Sequence, residues 1–332
     1  MENHSLPADK KRNLITKADD QTDPKYGKAP EERTIEEQFI YGIINLDKPS
    51  GPTSHEVAAW VRKILEIKKT GHGGTLDPKV TGILPVALQE GTKILQSLLL
   101  AGKEYVCIMK LHQEVPENKI RNVCNEFVGE IYQRPPIRAS VKRRLRTRKI
   151  YYLDVLEIAE KNVLMRVGCQ AGTYIRKICS DIGEALKVGA HMAELRRTRT
   201  ACFKEDETLT TLHDLKDGYI FWKEDLEEKY LKKMILPIEQ GISHLAKVVI
   251  RDSAIDAICH GASLAAPGIL KVDTGIKKKE LVAILSLKGE LIALGRSLKT
   301  TSEILKIDHG ILIKTERVIM NKRTYPSWNE YK

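Results

Sequence analysis

The sequence predicts an α+β chain with a small β-rich module near its C-terminal end, and three patterns carry that prediction. Apolar or alternating runs with strand character occur at residues 39–46, 103–111, 152–158 and 163–169. Between them lie stretches of helical period, such as Val57, Trp60, Val61, Ile64 and Leu65, and Ile175, Ile178, Cys179, Ile182 and Leu186. From Val248 to Ile319 the chain changes to short apolar runs (VVI, ELVAILSL, ELIALG, GILIKT) cut by Gly, Asp and Lys turns.

Taken in order, residues 1–38 are polar, mixed in charge, poor in aromatics and interrupted by Pro7, Pro24 and Pro30. Such an arm either lacks fixed structure or lies along another surface. Residues 39–46, FIYGIINL, read as a buried strand followed by the turn-rich DKPSGPTSH. Thr53 and Glu56 have capping-box spacing, so a helix starts at about Ser54. It leads into residues 70–85, TGHGGTLDPKVTGILP, where Gly71, Gly73, Gly74, Gly82, Pro78 and Pro85 surround a single acid, Asp77. That density calls for tight turns, which leave a carboxylate free to project into the space around the glycines. Asp before Pro equally fits a helix N-cap with Pro at the first helical position. Neither a P-loop nor a dinucleotide fingerprint fits, because the glycine spacings are wrong and Leu76 stands where a third small residue is needed.

In the strand at residues 103–111, Tyr105, Cys107, Met109 and Leu111 share a face. An amphipathic helix over residues 120–128 is stopped by Gly129, and residues 133–136 make an extended turn. Residues 142–149, KRRLRTRK, place six cations in eight positions with no acid among them. These charges must find solvent, acids elsewhere, or phosphate, which suits arginine's bidentate fork. A hairpin around Glu160, Lys161 and Asn162 follows, and then Gly172 breaks the strand ahead of a helix. Tyr174 and Arg176 sit near that helix start, off its apolar stripe. A cation there opposes the helix dipole and points to a specific acidic partner, with Asp77 and Asp181 as candidates. Residues 222–234 are charged with a helical pattern, and a boundary falls near Leu245.

Composition narrows the function. Fifty-five Lys and Arg against 44 Asp and Glu give a net charge of +11, a field that favours polyanions such as nucleic acid. No apolar run approaches the roughly 20 residues of a membrane span, and the first residues lack a secretory core. Six cysteines without a CxxC pair suit reduced, buried thiols in a cytoplasmic protein. His55 and Glu56 begin an HExxH-like run, but Ala59 replaces the second histidine, so no bound metal is expected.

Together the segments NLDKPSGPTSHEV, GHGGTLDPKVTGILPVAL, KEYV, YQRPPIRASVKRRLRTRK, GTYIRKICSDIG and ELRRTR resemble the TruB and dyskerin branch of the pseudouridine synthases, in that family's order. The segments IRDSAIDAICHGASLAAPGILKVDTGI and KGELIALG resemble its PUA domain, and the arm and the short C-terminal end resemble the archaeal dyskerin type. Ala139-Ser140 departs from the family's usual Ser-Ala. The resemblance implies a pseudouridine synthase fold, a central mostly antiparallel sheet flanked by helices, with a small β-barrel PUA domain. It divides the chain into an arm at 1–38, a catalytic domain at 39–245, a PUA domain at 246–322 and a tail at 323–332.

It further implies isomerisation of uridine to pseudouridine in rRNA, and in tRNA, without an organic cofactor. Asp77 would be the nucleophile, Arg176 its partner, Tyr105 the group beside the target base that assists proton removal, and Tyr174 the packing beneath it. His72 would help extrude the target nucleotide, and Leu195 would close the apolar wall. Lys142, Arg143, Arg144, Arg146 and Arg148 would form a mobile loop gripping RNA phosphates, and the turn around Gly268 and Lys271 would meet the ACA end of an H/ACA guide RNA. The implied protein partners are a Nop-type small protein, a Gar-type β-barrel protein and a kink-turn binder of the L7ae type. Two rivals remain: a stand-alone tRNA T-loop enzyme, and a non-catalytic RNA-binding assembly scaffold.

Overall fold

A computed structural model describes residues 4–135, 142 and 144–331. The expected turn at 133–136 runs past the described residues at Pro136, and Arg143, Ala139 and Ser140 also lie outside them. Ten strands form the larger sheet. At its centre the Lys103–Leu111 strand lies between Asn162–Cys169 and Ala190–Thr200, antiparallel to both. Beyond Ala190–Thr200 come Thr81–Leu88 and then Gly42–Lys48; beyond Asn162–Cys169 come Arg146–Ala159 and Gly129–Gln133. Thr81–Leu88 and Gly42–Lys48 are buried along almost their whole length. The strand expected at 39–46 starts only at Gly42, because Phe39, Ile40 and Tyr41 close the helix Ile35–Tyr41, and Gly82 and Pro85 stand inside a central strand that their sequence did not suggest.

The helices cover this sheet with their apolar faces. Ser54–Ile64 begins where the capping box places it: the Thr53 hydroxyl accepts from the Glu56 amide and the Glu56 carboxylate accepts from the Thr53 amide. Ile175–Ala185 buries Ile175, Ile178, Cys179 and Ile182 against a core shared with Cys107, Met109 and Val167. The charged helical stretch resolves into two helices, Leu212–Asp225 and Glu228–Met234, divided at Leu226, whose φ of 57° no helix continues. The basic run also differs from a simple loop. Its second half belongs to the Arg146–Ala159 strand, with Arg146 opposite Gln133 and Arg148 opposite Ile131, both half-buried, while alternation exposes Thr147 and Lys149 on the other face.

The smaller sheet has seven strands, six of them from residues 246–318. The seventh, Leu14–Thr16, comes from the N-terminal arm and pairs antiparallel with Ile269–Asp273. The arm thus lies along another surface. Arg12 reaches Glu280, the Lys17 ammonium bonds the carbonyls of Ile304 and Ile307, and Asp9 pairs with Arg199 of the larger sheet. The C-terminal segment folds back as well, burying Tyr325 so that its hydroxyl donates to Glu290 at 2.6 Å. All six cysteines are free, and five are buried. Among the described residues no helix is long and apolar enough to cross a membrane.

Candidate active site

The loop that carries Asp77 is shaped by buried polar groups. Lys48 ends the Gly42–Lys48 strand with no exposed surface, and its ammonium donates to the carbonyls of Pro49, Pro78 and Val80 at 2.8–2.9 Å. The buried Ser54 hydroxyl accepts from the Leu76 amide at 2.8 Å and donates to the Leu76 carbonyl at 3.2 Å. The backbone on both sides of Asp77 is therefore fixed, and the Val80 amide closes a turn onto the Asp77 carbonyl at 3.0 Å. No helix follows: Pro78 and Lys79 turn the chain directly into Thr81–Leu88. The N-cap alternative is thereby corrected, because the Lys48 bonds tie Pro78 and Val80 into a turn. Gly82, at φ +99°, is required here, since a Cβ would lie 2.2 Å from the Arg197 carbonyl oxygen.

Asp77 is left with a side chain 59% exposed, and its Oδ2 accepts from Arg176 Nη2 at 2.6 Å across 99 residues of sequence. Arg176 stands in the first turn of Ile175–Ala185 and makes no pair with Asp181, which instead takes Lys177. Gln133, 2% exposed, places that turn by accepting from the Tyr174 amide at 3.0 Å and donating to the Tyr174 carbonyl at 3.1 Å. Tyr174 is the N-cap residue and is half-buried. Tyr105 is also half-buried, and burial raises its pKa against the opposing effect of Arg197. His72 has its pKa lowered by burial and by the nearby Arg197 and His55, and among the described residues its Nδ1 has no hydrogen-bond partner. Leu195 is partly exposed and packs with Tyr105 against the same core cluster.

The basic strand ends beside this group. The Arg148 Nη2 lies 3.2 Å from where a Cβ on Gly172 would stand, one turn before Tyr174. Lys142 and Arg144 are exposed, Arg146 donates to the Lys142 carbonyl at 3.1 Å, and Arg148 donates to the Thr147 carbonyl at 2.7 Å. Among the described residues none of these four cations pairs with a carboxylate. In the smaller sheet, Gly268 is buried against Leu264 and Ala254 at the end of a short 3₁₀ turn. Lys271 lies outside that turn, half-buried in the Ile269–Asp273 strand opposite Thr16 of the arm.

Lys48, Ser54, Gln133 and Arg197 are the site residues that sequence reasoning missed. A lysine closing a strand that is buried almost throughout is the signal Lys48 offers; Ser54, Gln133 and Arg197 carried none.

Family models match this architecture along the chain: a DKCLD (NUC011) domain at residues 3–58, the TruB family pseudouridylate synthase N-terminal domain at 62–175, the tRNA pseudouridylate synthase B C-terminal domain at 176–243 and a PUA domain at 246–319. The chain is 61% identical to a probable tRNA pseudouridine synthase B of Methanopyrus kandleri over 97% of its own length and 95% of that protein. It is 60% identical to the protein so described in Thermococcus kodakarensis, over 98% and 97%. Among solved structures it resembles one chain of an H/ACA RNP bound to a substrate RNA containing 2'-deoxyuridine, with a TM-score of 0.93 and 56% identity over 98% of this chain and 99% of that one. A Cbf5-Nop10-Gar1 complex gives 0.94 and 58% over 98% and 99%. Fold and site define an RNA pseudouridine synthase joined to a PUA module. The chain belongs to the TruB and dyskerin family of these enzymes.

Beneath the site Lys103, 5% exposed, donates to the carbonyls of Leu98, Leu99 and Ala101. Burial and the Arg197 charge lower its pKa from 10.5 to about 7. Between those values the unfolded chain binds more protons than the folded one, so stability rises with pH; below about 7 both states are protonated and the penalty is complete. Urea unfolding of the natural chain and of Lys103→Met from about pH 7.5 to 9 should show a free-energy slope shallower in the variant by about 1 kcal/mol per pH unit. Equal slopes would show that Lys103 keeps an ordinary pKa in the fold.

Proposed function

We propose that this pseudouridine synthase uses Asp77 as its reacting carboxylate, with Arg176 holding it aimed, and that it acts as the catalytic subunit of a guide-RNA particle. The observation that carries the reading is the 2.6 Å contact between Asp77 and Arg176, open to solvent above a floor of buried cations. In the reaction the bond from ribose C1' to uracil N1 breaks, the base turns, C5 joins C1', and C5 loses its proton. Nothing is oxidised or reduced, so no redox cofactor is needed. A carboxylate suits the first step because it can attack and later leave. Tyr105 and Leu195 would contact the turning base, and Tyr174 would pack beneath it. A neutral His72 would take the place of the extruded nucleotide in its stack, since protonation is disfavoured there.

The unneutralised row Lys142, Arg144, Arg146 and Arg148 is read as the phosphate grip, with Arg143 as a further member. Lys271 and the turn at Gly268 are read as the contact with the guide RNA. Structures similar to this chain are complexes with Nop10 and Gar1, which supports partners of those kinds, together with a kink-turn protein of the L7ae type. We read its location as cytoplasmic. A second reading, modification of tRNA without a guide, is favoured by the names of the curated relatives. Product formation on bare tRNA compared with a guide-dependent rRNA target separates the two.

Asp77→Asn should bind RNA like the natural chain yet lower isomerisation by about 1,000-fold or more, scored by reverse-transcription stops after carbodiimide treatment. Retained turnover would remove Asp77 from the chemistry. Neutralising Arg144, Arg146 and Arg148 together should weaken RNA binding and flatten the slope of log affinity against log salt by about 2 to 3. An unchanged slope would make these arginines a solvated surface.

A further inference from the structure

One irregularity in the larger sheet decides which side chains face the Asp77 loop. Glu104 pairs with Arg199, but the next residue, Tyr105, pairs with Arg197, so Thr198 is the extra residue of a β-bulge. In regular pairing Arg197 and Leu195 would turn to the opposite side of the sheet. As built, the buried Arg197 donates from Nε to the Ile83 carbonyl at 2.7 Å and from Nη2 to the Gly74 carbonyl at 3.1 Å, on either side of Asp77 in the chain. Leu195 lies opposite Cys107 and packs with Tyr105 against one core cluster.

A bulge leaves its extra residue outside the ladder, so other bonds must hold it in place. The Thr198 hydroxyl donates to Glu104 Oε1 at 2.8 Å, and the Tyr152 hydroxyl donates to Glu104 Oε2 at 2.6 Å. Tyr152 stands two strands away from Glu104, and both pair with Gly168 of the strand between them. A Cβ on Gly168 would sit 2.2 Å from the Tyr152 ring, so only glycine lets the ring cross that strand and reach Glu104. Tyr152 is buried and is itself set by a register shift, in which Tyr151 is the extra residue. Arg199, the cation opposite Glu104, is taken by Asp9 of the N-terminal arm, which leaves the Glu104 oxygens to the two hydroxyls. The half-buried Glu104 thus ties four neighbouring strands together on the face opposite Tyr105.

We propose that Glu104 is a positioning residue for the isomerisation: with the hydroxyls of Thr198 and Tyr152 it holds the bulge that turns Arg197 and Leu195 toward the Asp77 loop. The inference rests on the reading of Asp77 as the reacting carboxylate. Glu104 acts through the strand and touches no reacting atom. Releasing Thr198 lets the pairing drift toward regular register, and any drift of Arg197 disturbs the Gly74 and Ile83 carbonyls that flank Asp77. The exposed surface offered to RNA stays the same.

The test uses the full chain on bare tRNA or on a guide-paired rRNA target, whichever the natural chain converts. It reads the single-turnover rate on bound RNA together with RNA affinity. Thr198→Val keeps the side-chain shape and removes the hydroxyl; it should lower the rate by about 10- to 100-fold at unchanged affinity. Thr198→Ser, which keeps the hydroxyl, should restore most of that rate. Glu104→Leu should slow the reaction as Thr198→Val does, and the double variant should be no slower than the slower single one, because both remove the same interaction. A natural rate in Thr198→Val, a fall that only follows affinity, a serine variant as slow as the valine one, or effects that multiply in the double variant would each overturn the role of Glu104. Where circular dichroism shows either variant unfolded, Tyr152→Phe, which removes the other hydroxyl alone, decides: a fall in rate at unchanged affinity supports the role, and an unchanged rate overturns it. A natural chain that converts neither RNA, or an Asp77→Asn chain that still converts one, overturns the reading of the site and this inference with it. An inactive Asp77→Asn chain beside a Thr198→Val chain of natural rate overturns this inference alone.

Discussion

The structure depends on bringing one turn of a glycine loop to the first turn of a distant helix, so that Asp77 and Arg176 meet. The ion pair cannot create that meeting. Both side chains are about 60% exposed, and pairs so placed contribute about 0–1 kcal/mol. The geometry comes instead from groups out of sight: the Lys48 ammonium on three carbonyls, the Ser54 hydroxyl on both polar atoms of Leu76, and the Gln133 amide on both polar atoms of Tyr174. Each leaves an unsatisfied buried partner if removed, a loss larger than the surface pair could offset. The two exposed side chains are thus free to exchange contacts while their backbones stay fixed.

The second constraint is electrostatic. Lys48, Lys103 and Arg197 are all nearly buried beneath the site, and all three are capped by backbone carbonyls rather than by acids. Carbonyl dipoles solvate a cation without cancelling its charge, so the floor stays positive at Lys48 and Arg197, while Lys103, its pKa lowered to about 7, holds its charge only in part near neutral pH. Arg146 and Arg148, which have no carboxylate partner among the described residues, add to the positive field on this side of the sheet, and such a field attracts polyanions. Net charge alone does not show where that field lies; the strand order does.

Much of the site was legible in the sequence because it is written in local chemistry. The glycine density around Asp77, the misplaced cation at Arg176 and the acid-free run at residues 142–149 each declare a need that neighbouring residues do not meet. The capping box at Thr53 and Glu56 fixed a helix start to the residue. What escaped was long-range. That the arm adds Leu14–Thr16 to the sheet of the C-terminal module depends on pairing across more than 250 residues, and a three-residue strand has no periodic signal. The bulge at Thr198, which decides whether Arg197 faces Tyr105 or turns away, is a matter of register between strands. The turn at Pro78 was open to two local readings, and Lys48, thirty residues earlier, chose between them.

The central claim is that the guanidinium of Arg176 holds Asp77 ready for chemistry and contributes little to folding or RNA capture. It is tested most directly by the single-turnover rate of Arg176→Ala on bound RNA, with and without added guanidinium ion. The account predicts a fall of about 100-fold or more at unchanged RNA affinity, with partial recovery when guanidinium fills the vacated place beside Asp77. A rate that is unchanged, or that falls only in step with RNA affinity and does not respond to guanidinium, would contradict it.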